Sequence, residues 1–394
     1  MIAKNQIGEE SLAEVCPYCQ SKDFVKRGLR QKKLERVQLY LCRNPACGRT
    51  FTARFIKGHT YPLNLIIDGI SYYNLGYGLE ETCRLLGKKF GVKPDYSTLA
   101  VWIKQYASLC RYARLRPFAL KLFKPADTVE VVNMAHRQIY RFLYHRAKMW
   151  LTLKESYRHR GFAPLKDYLD GVSSETPHQY FQQGLRISEV RSKFDKAQMI
   201  VRAKKNYANE LAKFVLQAVS DNKKRHAVLQ QFMLANDSVT VAAEVPVYIR
   251  KEDIEHMENQ LNFKILDGES IELRGRAGKT KAISAAEGLP RLLTGHIDLV
   301  QVRNGQIHIL DYKPNAAKEK PIEQLTWYAL ALSRLTGLRL YEFKCAWFDE
   351  KDYFEFYPLH VVKKIQERKR KRRVYLKAHG TAVEIPEENV IKIV

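Results

Sequence analysis

The chain has 394 residues and carries 67 Lys+Arg against 42 Asp+Glu, a formal net charge of +25. A hydrophobic fraction of 45% excludes a disordered polyelectrolyte and builds cores for two or three domains. No apolar run reaches a membrane span and no signal-peptide segment opens the chain. The expectation is therefore an intracellular protein with no membrane partner, cytoplasmic and nucleoid-associated in a prokaryote or nuclear in a eukaryote.

The charge is spread along the chain. Residues 1–125 hold 22 Lys+Arg and 9 Asp+Glu, a net +13 that favours a polyanion such as DNA as partner. The first motif is Cys16-Pro17-Tyr18-Cys19 followed by Cys42-Arg43-Asn44-Pro45-Ala46-Cys47. Two cysteine pairs on tight turns, joined by strands, are the pattern of a four-thiolate zinc ribbon. Two disulfides are the alternative, and an intracellular setting argues against them. Cys83, Cys110 and Cys345 sit in apolar contexts and read as core residues.

A basic-aromatic strand over 49–55 leads into three predicted helices near 62–74, 79–90 and 97–109. Ser97 is the expected N-cap of the third. Leu99, Trp102, Ile103 and Tyr106 form its inner face, which leaves Thr98, Val101, Lys104 and Gln105 outward. Polar side chains on the outer face of the third helix suit a helix-turn-helix reader of the major groove, although any three-helix bundle shares the pattern. The ribbon and trio together, over about 14–110, resemble the N-terminal DNA-binding module of prokaryotic insertion-sequence transposases. That resemblance implies DNA binding in a mobile-element, recombination or defence setting. No DDE arrangement follows it here.

Residues 111–220 read as mainly helical, basic and aromatic, with Arg137–Lys148 as an Arg/Tyr-rich helix and a second helix near 189–219. Such a helix either tracks a phosphate backbone or packs in a bundle with a solvated basic side. His136, His145, His159 and His178 show no metal-ligand spacing. From about 222 a helix carries His226, and residues 239–247 form a strand carrying Glu244. A Gly/Arg/Lys-rich loop at Arg274–Thr280 lacks P-loop spacing and reads as a loop near substrate phosphate.

The stretch Gly295–Lys313 holds the chemistry. Asn304-Gly305 is a strong type I′ hairpin signal, and counting back from it sets Asp298 opposite Asp311. Lys313 shares the face of Asp311, and His296 is expected to face Lys313. Two carboxylates and an amine among Ile, Leu and Val are costly without a ligand. A hard divalent cation, Mg²⁺ or Mn²⁺, fits; an Asp–Lys ion pair with a solvated second Asp is the plainer reading. A helix over 321–336 then places Gln324 and Tyr328 one turn apart. A closing hairpin is expected from 338–348 and 353–357, and Glu367–Arg373 is a solvated basic run that touches DNA or, in a eukaryote, serves as a nuclear signal.

Gly-x-x-Asp, Asp-x-Lys and Gln-x-x-x-Tyr, in this order over about 295–330, resemble the RecB-like branch of the PD-(D/E)xK nucleases. The resemblance implies Asp298 and Asp311 as Mg²⁺ ligands and Lys313 as the residue that positions or activates the attacking water. It also implies Gln324 and Tyr328 as substrate-side supports. It points to a metal-binding His on the helix ahead of the sheet, where His226 stands; Glu244 is the second candidate for the remaining ligand or its support.

The expected architecture is α+β and multidomain. It comprises a zinc ribbon (1–58), a helix-turn-helix domain (59–112), a basic helical region (113–220) and a nuclease core with a central mixed sheet flanked by helices (221–394). The expected function is a metal-dependent deoxyribonuclease, endo- or exonucleolytic, with structural Zn and compatible with a homo-oligomer. A DNA-binding regulator or structural protein with an inactive core, and an RNA nuclease, are the rival readings.

Overall fold

The computed structural model describes residues 15–31, 34, 36–52, 61–191, 194, 201–202, 206–219, 221–263, 265, 272–274, 280–282, 291–363, 374–378 and 381–385. Residues 53–55, most of the Arg274–Thr280 loop and the Glu367–Arg373 run lie outside them.

At the N-terminus β1 (Phe24–Gln31), β2 (Arg36–Cys42) and β3 (Thr50–Thr52) form an antiparallel three-stranded sheet. Phe24, Tyr40 and Phe51 pack as a small aromatic core beside the cysteines. The helical trio follows as α1 (Leu63–Asn74), α2 (Leu79–Phe90) and α3 (Tyr96–Gln105). The α3 N-cap is Asp95 rather than Ser97: its carboxylate accepts from the Ser97 N–H at 2.8 Å. An ionised oxygen two residues ahead satisfies the orphan donor and suits the positive end of the helix. Residues 107–109 leave the α-helix as a 3-10 turn.

The region after the trio differs from its sequence reading. Val129–His136 (β4) and Gln138–His145 (β5) are strands of a hairpin, not a helix. Tyr140, Phe142 and Tyr144 alternate with the outward Ile139 and Arg141, a period of two that the basic-aromatic composition hid. Arg137, at φ 60°, makes the turn. The helices of this region include Arg116–Ala119, Arg146–Glu155, α4 (Ala163–Glu175) and α5 (His178–Gln183). Among the described residues of the helix expected over 189–219, Tyr207–Leu216 form α6, while Val190–Arg191 and Val201–Arg202 are short strands.

The core then runs α7 (Arg225–Asn236), β6 (Thr240–Arg250), β7 (Leu292–Arg303), β8 (Gln306–Tyr312), α8 (Ile322–Thr336), β9 (Phe343–Phe348) and β10 (Tyr353–Phe356). These strands join β4 and β5 in one mixed sheet in the order β4-β5-β6-β7-β8-β9-β10. Along this order the pairs are antiparallel except β8 and β9, which α8 links as a parallel crossover; off it, a short strand at Leu185–Arg186 pairs parallel with β7. The expected closing hairpin is β9–β10, with 340–342 a 3-10 turn.

One face of the sheet packs Val245, Val247, Ile297, Ile307 and Ile309 against α8 and α4. The other packs Ala243, Leu299, Leu310 and Phe348 against α6, α7 and the trio. No helix among the described residues is long and apolar enough to cross a membrane.

Candidate active site

The hairpin that carries the acidic residues is built as its sequence implies. Asn304 and Gly305 both take positive φ, 54° and 72°, as a type I′ turn requires. Arg303 then pairs with Gln306 and the ladder runs back to Leu299 opposite Leu310, so one further step sets Asp298 level with Asp311. On the other side of β7, the pairs Ile297–Val245 and Leu299–Ala243 bracket Asp298 and Glu244. Three carboxylates therefore lie side by side on β6, β7 and β8.

Glu244 has φ 51°, a left-handed conformation costly for a residue with a long side chain. The ladder keeps its register on both sides of it. The side-chain alternation breaks here instead: Val245 and Ile297 pack in one core, Ala243 and Leu299 in the other. The carboxylates of β6 and β7 sit at this crossover.

His226, in the first turn of α7, reaches the same place. One ligand atom each from His226, Asp298 and Asp311 lie within 4.8 Å of one another. His226 Nε2 is 3.9 Å from Asp298 Oδ2 and 2.8 Å from the Tyr312 carbonyl oxygen. Lys313 Nζ lies 2.9 Å from Asp311 Oδ2. Glu244 stands just outside this set, with Gln230, one turn along α7, donating Nε2 to its Oε1 at 2.7 Å.

The electrostatics show a site built for more positive charge than the side chains supply. Burial and then the Glu244 charge push Asp298 up to about 6. Burial, the Gln230 bond notwithstanding, and the Asp311 charge push Glu244 up to about 7. Burial and the Asp298 charge hold Asp311 well above the usual carboxylate range. Burial acts to lower Lys313, but the Asp311 charge overrides it and the amine is raised, so it stays protonated. Asp298 Oδ2 is buried without a hydrogen-bond partner, while Asp311 Oδ2 is buried against the Lys313 ammonium. Crowded, desolvated carboxylate oxygens within ligand reach of one another are the donors a hard cation takes, so the residues fit a divalent metal.

The helix-borne pair is explained by a glycine. Gln324 Nε2 donates to the Tyr328 hydroxyl at 2.8 Å. The ring edge of Tyr328 abuts Gly295, where a Cβ would come within 2.4 Å of its Cε1. The Gly of Gly-x-x-Asp thus makes room for the Tyr of Gln-x-x-x-Tyr.

More than half of the chain, residues 168–383, matches the family model described as PD-(D/E)XK nuclease superfamily. The chain belongs to the PD-(D/E)XK nuclease superfamily. No curated protein and no solved structure matches it. The mixed sheet flanked by helices is consistent with that superfamily's fold. Nucleases of the superfamily generally use divalent metals, which agrees with the donor set of this member.

The sequence points to His296 as facing Lys313 but does not show the groups it joins beside the carboxylate centre. His296 stacks on Tyr140, with ring centroids 3.5 Å apart, and lies 2.8 Å from His136, which in turn lies 2.8 Å from His178. Burial first, and then the neighbouring His178 for His136 and the neighbouring His136 and Arg186 for His296, lower His136 to about 4 and His296 to about 2, so these two rings are neutral. Arg186 donates to the Tyr140 hydroxyl at 2.8 Å. These residues come from distant segments and leave no local pattern.

Far from the carboxylate centre in sequence, Cys16, Cys19, Cys42 and Cys47 also converge within 4.8 Å. They are free thiols, with Cys16 Sγ 3.8 Å from Cys47 Sγ and Cys19 Sγ 3.5 Å from Cys42 Sγ. A tetrahedral site with Zn–S of about 2.3 Å has S···S edges of about 3.8 Å, so this cluster could hold zinc. Burial raises the Cys16 thiol, yet the backbone N–H groups of Tyr18 and Cys19 outweigh it and bring Cys16 down to about 7. On α3, Val101 is 61% exposed, Lys104 and Gln105 are exposed, and Thr98 is half-buried.

Proposed function

We propose that this protein is a Mg²⁺-dependent deoxyribonuclease that hydrolyses phosphodiester bonds, held on DNA by its zinc ribbon and by α3 of the trio. The observation that carries the reading is the meeting of two buried carboxylates, Asp298 and Asp311, with His226 within ligand reach and a protonated Lys313 2.9 Å from Asp311. His226, Asp298 and Asp311 would hold the cation, with Glu244 as the further acidic group behind them. When bound, Mg²⁺ or Mn²⁺ would neutralise charge on the phosphate and lower the pKa of water.

The chain's own residues supply the rest. Because Lys313 is protonated, it acts as a donor: it orients the attacking water and stabilises charge developing on the phosphoryl oxygens. Asp311, 2.9 Å away, fixes the position of that amine. Gln324 and Tyr328 form a supporting wall behind the reacting phosphate. Gln230 keeps Glu244 turned toward the centre through a charge-assisted bond.

The front end is read as the DNA-holding part. Zn²⁺ on the four cysteines would be structural, since every tetrahedral position is filled by protein. Lys104 and Gln105, with Thr98 and Val101, form the outward face of α3 offered to the major groove. The net +13 of residues 1–125 supplies salt-sensitive phosphate affinity.

The test is cleavage of linear and circular duplex DNA, single strands and RNA, with Mg²⁺ or EDTA. Duplex cleavage that needs Mg²⁺ and falls about 10²–10³-fold in Lys313→Ala supports the reading. Cleavage of RNA in preference to DNA would establish the ribonuclease instead. Tight DNA binding with no metal-dependent cleavage would leave a DNA-binding protein with an inert core.

A further inference from the structure

The trio and the carboxylate centre share one helix. His226 and Gln230, which reach the centre, lie in the first two turns of α7; Asn236 lies at its other end, about 15 Å along the axis. Asn236 is fully buried and faces α1. Its Oδ1 accepts from Asn74 Nδ2 at 2.7 Å, and its Nδ2 donates to Ser71 Oγ and to the Phe232 carbonyl, both at 2.9 Å. Cys110, just beyond the trio, also donates to Asn236 Oδ1, at 3.7 Å.

Apolar packing surrounds this polar junction. Ile66, Ile67 and Ile70 of α1 and Leu99 and Trp102 of α3 share a core with Leu229, Phe232 and Met233 of α7. Arg116 closes the end of α1 by donating to the carbonyls of Tyr73, Gly76 and Tyr77. A DNA-binding domain on a flexible tether would show neither feature, because its surface toward the catalytic domain would be polar and wet. Swinging the trio away would break the Asn74–Asn236 and Ser71–Asn236 hydrogen bonds and expose the shared apolar core to water.

We infer that the trio is not a swinging module but a rigid extension of α7, so that the strand break falls at a fixed distance from the base pairs α3 contacts. Asn74 and Asn236 are the positioning residues of that junction. The inference rests on the reading that α3 faces DNA and that the carboxylate centre cuts it. It adds that the two are in fixed register. An end-directed or freely tethered nuclease has no such register.

The experiment uses the full chain with a photo-crosslinking residue at an exposed α3 position, Val101→p-benzoylphenylalanine. Crosslinking to a labelled duplex is done in EDTA, and Mg²⁺ is then added to start cleavage. Both the crosslinked base and the cut phosphate are mapped on the same molecules. The expected result is a constant separation, within one or two phosphates, wherever on the duplex the crosslink forms. Asn74→Ala, with its fold checked by circular dichroism, should widen that spread several-fold while total cleavage of a short duplex changes less than about twofold. Cuts scattered over a helical turn or more in the wild-type sequence, with crosslinking intact, overturn the fixed register. An unchanged spread in Asn74→Ala removes the junction's positioning role. Cleavage without any crosslink from position 101 shows instead that α3 does not face DNA, which brings down the reading beneath the inference as well.

Discussion

The two clusters of this protein that could hold a metal ion are opposites in construction. The four cysteines sit on two turns at the edge of a small three-stranded sheet, and their sulfurs alone fill a tetrahedral set. The carboxylate centre sits on three adjacent strands and a helix inside the large sheet, and it brings too few donors for a closed hard-cation shell. Its charges are crowded and desolvated, and one of its strands bends through a left-handed residue to present Glu244. A closed, relaxed cluster holds a fold together; an open, strained one keeps room for substrate and water.

The largest expected effects break the two regions apart. Asp311→Asn removes one of the deepest carboxylates while leaving the basic surface of residues 1–125 untouched. Metal-dependent cleavage should fall by at least about a thousandfold, while duplex affinity in a gel-shift or anisotropy assay stays within about twofold. Lys104→Glu should show the reverse, with weaker and less salt-dependent binding and slow cleavage retained at high protein concentration. Full cleavage by Asp311→Asn would move the chemistry elsewhere in the chain.

Cys42→Ser should act on the other cluster alone. Structural zinc in small sites contributes on the order of 10 kcal/mol to local folding, so the N-terminal sheet should lose its protection from proteolysis and DNA binding should weaken. Metal analysis of the intact protein should find one zinc, and the melting transition of the nuclease core should be unchanged. Disulfides between the cysteine pairs in freshly purified protein would refute the site.

Sensitivity to pH distinguishes the clusters by their stress. In the metal-free protein Asp298 and Glu244 titrate at about 6 and about 7, above their ordinary values. Folding therefore favours their protonated forms. The stability this contributes is fully present below the ordinary carboxylate range and is lost as pH rises through about 6 and then about 7. The loss should be roughly 3 kcal/mol for each group at most. Denaturant unfolding in EDTA should show stability declining between pH 4 and 8, and millimolar Mg²⁺ or Mn²⁺ should restore most of it at pH 8. A profile that is flat in EDTA and indifferent to metal would mean the carboxylates are not under that stress.

What the sequence disclosed of these regions follows from how local each feature is. Asn304-Gly305 fixes a register, and the register puts Asp298 beside Asp311 with no tertiary information. Cys16 to Cys47 carry their spacing in plain view, and Gln324 and Tyr328 are one helical turn apart. The β4–β5 hairpin was legible in the alternation of Tyr140, Phe142 and Tyr144, but its arginines and tyrosines read as a helix because charge and aromaticity carry no period. Nothing local marks Gln230, whose role exists only because α7 lies across Glu244. The row of His136, His178 and His296 is assembled from β4, α5 and β7, and the seat of α1 on Asn236 likewise joins residues far apart in the chain.

The smallest change with a sharp expectation is Gly295→Ala. Gly295 needs no unusual backbone conformation; what it lacks is volume, since its added Cβ would lie 2.4 Å from Tyr328 Cε1 and 3.3 Å from two further ring atoms. The ring cannot simply rotate away, because Tyr328 is 6% exposed and its hydroxyl takes the Gln324 amide. Either β7 or α8 must yield, at a cost of about 1–3 kcal/mol for an overpacked core position. If β7 yields, Asp298, three residues on, moves with it and Mg²⁺ affinity falls together with cleavage. If α8 yields, Tyr328 and Gln324 leave the site, and kcat falls while Mg²⁺ affinity is kept. Tyr328→Phe keeps the ring on the glycine and removes only the hydroxyl, so it should cost less stability than Gly295→Ala. Calorimetric Mg²⁺ titration of the two variants separates the cases, and a Gly295→Ala protein with native stability and activity would show that the contact between Gly295 and Tyr328 is not one the centre depends on.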